Sequence, residues 1–107
     1  MPSRSSLWDS EPMSAPATHW LRVAGDGLVH DGPCLVKAIV LHPDSAGDYA
    51  DIYDGRDAVS GTKFCRVENA VDSTLPIDFG DGIIFGRGVY VDALDGAVET
   101  TIAFVPL

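Results

Sequence analysis

The sequence predicts an all-β fold, a small antiparallel sandwich preceded by an extended N-terminal arm. Three observations predict it. Short runs of β-branched and aromatic residues alternate with polar ones, and turn residues punctuate these runs about every 8 to 12 positions. Nowhere do ten or more residues combine helical periodicity with good helix formers. Asp51-Ile52-Tyr53-Asp54-Gly55 joins the first two signals: an alternating strand that runs into an Asp-Gly turn, following the apolar strand of residues 35–41.

The elements follow in order. Residues 1–17 are rich in serine and carry Pro2, Pro12 and Pro16, with only Leu7, Trp8 and Met13 as large apolar groups. Such a composition cannot offset its ordering entropy with a core of its own, so these three side chains are expected to be buried by something outside the arm. Residues 18–107 form the sandwich. Residues 18–23 and 28–30 are short strands around the turn Ala24-Gly25-Asp26-Gly27, and Asp31-Gly32-Pro33 turns into a central strand. That strand, residues 35–41, is apolar on both faces except at Lys37, so it should leave one patch uncovered.

Residues 49–53 alternate, with Ala50 and Ile52 toward the core and Tyr49, Asp51 and Tyr53 away from it. Residues 62–67 are expected to bury Phe64. Residues 75–79 contain Pro76, which suits a sheet edge, and Gly80-Asp81-Gly82 is expected to separate them from a further strand at residues 83–85. Residues 89–91 and 97–105 complete the set. The last strand directs Val98, Ile102 and Phe104 inward and Glu99, Thr101 and Ala103 outward, the pattern of a strand paired on both sides. A jelly-roll or immunoglobulin-like sandwich satisfies this order.

Composition narrows the function. A chain of 107 residues makes one domain, and a net charge of −9 with no basic stripe opposes direct nucleic-acid binding. No apolar run approaches the roughly 20 residues of a membrane span, and no apolar core of a signal peptide follows Met1, so synthesis in a cytoplasm and no membrane partner are expected. Cys34 and Cys65 are expected to be free, small core residues.

No spacing assembles a nucleophile with a base, a phosphate cradle or a metal site; no catalytic residue, metal ligand or cofactor is assigned. His19, His30 and His42 lie on separate segments. Asp44, Asp48, Asp51, Asp54 and Asp57 are dense enough to gather near one end of the sandwich, as a solvated rim or, less specifically, a calcium site. Tyr49, Tyr53 and Tyr90 are the candidate exposed aromatics, either at a subunit interface or as a sugar-stacking platform.

From about Gly27 to Phe104, the strand at residues 35–41, the Ile52-Tyr53-Asp54-Gly55 strand end, the block Gly82-Ile83-Ile84-Phe85-Gly86-Arg87-Gly88-Val89-Tyr90-Val91 and the closing strand stand in an order that resembles the small β-sandwich virion proteins of tailed bacteriophages, which decorate capsids or associate with fibres and tails. The resemblance implies a non-enzymatic assembly role in a virion, frequently with trimeric or higher symmetry, and a major capsid or tail protein as partner. The residues expected to meet partners are Leu7, Trp8, Met13, Tyr49, Tyr53 and Tyr90. The alternative is a carbohydrate- or receptor-binding sandwich, calcium-dependent or not.

Overall fold

A computed structural model describes residues 17–107; the arm residues Leu7, Trp8 and Met13 lie outside the described residues. The described chain is all-β, with eight strands: β1 (His19–Ala24), β2 (Gly27–Asp31), β3 (Cys34–His42), β4 (Tyr49–Asp54), β5 (Thr62–Glu68), β6 (Leu75–Phe85), β7 (Gly88–Ala93) and β8 (Glu99–Pro106). They form two antiparallel sheets, here sheet A in the order β1-β8-β3-β6 and sheet B in the order β2-β7-β4-β5. That double order is the eight-stranded jelly roll, which realises the first of the two sandwich types expected.

Alternation builds the core. Val36, Ile39, Leu41, Ile102 and Phe104 from sheet A face Ala50, Ile52, Val67, Val89 and Val91 from sheet B, all of them buried. Fully burying each larger aliphatic side chain is worth about 1.5–3 kcal/mol. β8 lies between β1 and β3 with Ile102 and Phe104 inside and Val98 buried just before it, as the pattern predicts. Pro76 lies on β6, an edge strand, where its missing N–H is harmless. Cys34 is a buried free thiol, pushed up to about 11 by burial and by the charge of Asp54; Cys65 is a half-buried free thiol.

Two expectations are corrected. Residues 75–79 and 83–85 are one strand, because Phe79 to Gly82 bulge out opposite Lys37 and the ladder resumes with Val36 facing Ile83. Gly80 and Gly82 take positive φ there, which is why they read as a turn. Phe64 is not core: β5 slips register between Ile52, facing Cys65, and Tyr53, facing Lys63, and the residue left over is Phe64. It is 39% exposed, while Val67 takes the buried place. The slip turns the Phe64 ring toward sheet A, edge-on to Phe79 and Phe85 at 5.8 and 5.1 Å between centroids.

Candidate subunit interface

The outer face of sheet A can be read from its register. Val105, Leu35 and Ile84 form one cross-strand row; Trp20, Ala103, Ala38 and Asp78 form the next, and Arg22, Thr101, Val40 and Pro76 the third. Trp20 is 71% and Ile84 68% exposed, whereas Leu35, Ala38 and Val40 are half-buried by their neighbours. Small Ala103 and Ala38 lie beside Trp20 in the middle of the face. Charge closes one end of it: Arg22 Nε donates to Glu99 Oε1 at 2.6 Å, and His42 Nε2 meets Thr101 Oγ1 at 3.1 Å. Apart from Lys37, both faces of β3 are therefore apolar, as its sequence predicts, and nothing within the described chain covers the outer one.

The three tyrosines are also brought together, but on the opposite side of the molecule. Leu28, Tyr90, Tyr53 and Lys63 make a row across the outer face of sheet B, with Lys63 Nζ 5.9 Å from the centre of the Tyr53 ring. The next row is Asp92, Asp51 and Arg66. Arg66 grips Asp51 with two bonds, Nε to Oδ1 at 2.8 Å and Nη2 to Oδ2 at 3.1 Å, while its Cζ sits 3.8 Å from the centre of the Tyr49 ring. Lys63 Nζ adds a contact to Asp51 Oδ2 at 3.2 Å.

These partners decide the protonation of the two carboxylates. Hydrogen bonds from Arg66 hold Asp51 below its ordinary value in spite of burial. Asp92 goes the other way: burial, a hydrogen bond with the Asp26 carboxyl and the charges of Asp26 and Asp51 push it up. The face is thus an ordered polar lattice of aromatic rings and paired charges, unlike the apolar face behind it.

The remaining acidic residues do not gather. Asp48 accepts from the Asp44 and Ser45 N–H groups before β4; Asp54, at the far end of β4, accepts from the Gly86 and Arg87 N–H groups; Asp57 accepts from Ser60. Asp48 and Asp57 serve their own loops, as turn aspartates do, while Asp54 holds the turn between β6 and β7; among the described residues no three His, Cys, Asp or Glu side chains form a group able to hold a metal ion. His19 and His30 both lie against the Phe104 ring, at 5.9 and 5.2 Å.

Trp20, Val40 and Ile84 were not among the residues singled out from sequence. The available signal was an extra apolar residue out of phase with its strand: Trp20 beside Leu21, and Ile84 between Ile83 and Phe85. Comparison with protein-family models, curated proteins and solved structures returned no match.

Proposed function

We propose that this chain is a non-enzymatic structural subunit that assembles with copies of itself, as a homo-oligomer and most simply a trimer, through the outer face of sheet A and through its N-terminal arm. The resemblance to tailed-phage virion proteins makes it a capsid decoration, or cement, subunit that holds neighbouring capsid or tail proteins together. The observation that carries the assembly role is the row structure of sheet A: Val105, Leu35 and Ile84, then Trp20, Ala103 and Ala38, then Val40 and Pro76 make an apolar band across three rows, edged by Asp78 and Arg22, with Trp20 and Ile84 largely in water, on a chain of net charge −9. An apolar face of this kind is costly in a monomer and is satisfied by a second apolar surface. A stable obligate interface would bury on the order of 2,000 Å² or more.

The test is sedimentation over a concentration series, with Val40→Glu as the variant. The wild-type chain is expected to associate and the variant to be monomeric with an unchanged circular dichroism spectrum. A wild-type chain that stays monomeric at millimolar concentration sinks the self-assembly reading. Mass spectrometry of purified particles tests the virion location.

A second reading rests on sheet B. Tyr53 and Tyr90 are direct cross-strand neighbours beside Asp92, an aromatic surface with a carboxylate at hand, which suits stacking and hydrogen bonding to a sugar. Binding on a glycan array that is lost in Tyr53→Ala and Tyr90→Ala favours it, and loss on adding a chelator would make it calcium-dependent.

A further inference from the structure

The two sides of the sandwich differ. The backbones of β1 and β2 come together at one side, whereas β5 and β6 stay apart at the other and are bridged by the Phe64 ring. Beside that ring a half-open cleft of about 290 Å³ is lined by Lys63, Phe64, Ile83, Ile84 and Phe85, among others. It lies at the lower limit of the ~300–1,000 Å³ typical of small-molecule pockets, and it suits one or two side chains of a peptide better than a whole metabolite.

Both walls of the cleft are edge strands, each with one side of its backbone unpaired. Natural edges are protected by proline, bulges or charge, and here the protection is uneven. β5 carries Lys63 and Arg66. β6 is guarded by Pro76 and by the Phe79 to Gly82 bulge over one half, while Ile83-Ile84-Phe85 has no such guard. That unguarded end is apolar on both faces, with Ile83 and Phe85 toward the cleft and Ile84 toward the outer face of sheet A. A strand added there needs two consecutive apolar residues, one for each face.

We propose that the occupant is the Leu7-Trp8 segment of a second copy of this chain, added as a strand along the Ile83 to Phe85 edge of β6, with Leu7 in the cleft and Trp8 over Ile84. This rests on the self-assembly reading and gives the arm its landing site. Leu7-Trp8 is the only adjacent pair of large apolar residues before the first strand. With Leu7 turned inward and Trp8 outward, the pair matches the two apolar faces of that edge.

The place where the described chain begins selects a second copy over the same one. His19 faces Phe104, so continuing the register places Ala17 opposite Pro106, which faces Cys34, which faces Phe85. The arm therefore leaves from the β1 edge, three strand spacings or roughly 14 Å from the β6 edge. Within one chain it would have to fold back over the end of the sheet. In a neighbour set edge to edge it enters directly, and the ten residues from Ala17 back to Leu7 span about 33 Å when extended. An arm leaving one edge and received at the opposite edge is a head-to-tail contact, the kind that closes into a ring such as a trimer.

The test is photo-cross-linking in the full-length chain with p-benzoylphenylalanine in place of Trp8, on an equimolar mixture of ¹⁴N and ¹⁵N copies assembled together. Irradiation is expected to give mixed light–heavy dimers as about half of the cross-linked product, with the adducts on residues of β5 or β6 around Phe64 and Ile84. Ile84→Asp should lower their yield at least fivefold with an unchanged circular dichroism spectrum. Adducts within a single chain would overturn the second-copy assignment, and adducts elsewhere, or none, would overturn the landing site. Sedimentation of the same preparations separates the two failures: association without these adducts refutes the cleft and leaves the apolar-face assembly standing, whereas a monomer with single-chain adducts refutes both.

Discussion

Gly82 lies over the side chain of Leu35: a Cβ on Gly82 would fall 2.6 Å from Leu35 Cγ, and its φ is +105°. The bulge that brings these residues together lets β6 resume its ladder opposite Val36, so it holds the edge of the apolar face in place. Gly82→Ala is therefore expected to destabilise the fold by about 1–3 kcal/mol from the backbone conformation alone, with displacement of Leu35 added. Gly86→Ala, where a Cβ meets nothing within 4 Å, should stay within about 0.5 kcal/mol of wild type. Urea unfolding midpoints of the two variants check this, with equal midpoints as the contrary result.

Asp51 and Asp92 face each other across β4 and β7, yet their pH effects should have opposite signs. Arg66 lowers the folded-state value of Asp51, so its contribution is present above the unfolded carboxylate range near pH ~4 and is lost as pH falls through the folded value. Burial and the Asp26 hydrogen bond raise Asp92, so its contribution is present in acid and lost as pH rises through its folded value. At pH 7, Asp51→Asn should lower the melting temperature. Asp92→Asn should raise it, since removing a like-charged cross-strand pair is worth about 0.2–1 kcal/mol. Both differences should shrink as the pH is brought below 4, and melting curves between pH 3 and pH 8 would show a pH-independent difference if these pairings were wrong.

Thr100 is the one buried side chain among the described residues whose hydroxyl finds no hydrogen-bond partner. It sits on the inner face of β8 opposite Leu41, with no exposure. Leaving a buried polar group unmade costs about 1–3 kcal/mol. Thr100→Val, which keeps the shape and removes the hydroxyl, is expected to stabilise the chain by about 1 kcal/mol, or roughly 4–8 °C in a domain of this size. A lower melting temperature for the valine variant would mean that the hydroxyl has a partner after all.

Where alternation is unbroken, the strands could be read directly: β8 shows its inward and outward sets, and β4 buries Ala50 and Ile52 and turns its tyrosines outward. The errors occur where a bulge breaks the period of two. Phe64 looks like a core residue by spacing, but the slip beside Ile52 makes it a bridge between sheets. Gly80-Asp81-Gly82 looks like a turn because a wide bulge and a hairpin ask for the same residues. The sheet carrying the tyrosines and the sheet left apolar were equally hidden, because which strands share a sheet depends on pairings between residues far apart in the chain.

The arm should matter to assembly and hardly at all to folding. The whole core cluster, from Val29 to Phe104, lies within residues 18–107, so deleting residues 1–16 removes nothing that the sandwich buries among its described residues. The melting temperature is expected to stay within about 2 °C of wild type, less than a 1 kcal/mol change would produce. Association should weaken. Burying Leu7 and Trp8 on a neighbour is worth about 1.5–3 kcal/mol each, and ordering the segment costs about 1–2 kcal/mol per residue before its backbone pairs, so the net loss is a fraction of the gross burial and on the order of tenfold in the association constant. Paired melting and sedimentation measurements on the full-length and truncated chains decide it. A large drop in melting temperature would make the arm a part of its own sandwich, and unchanged association would remove it from the interface.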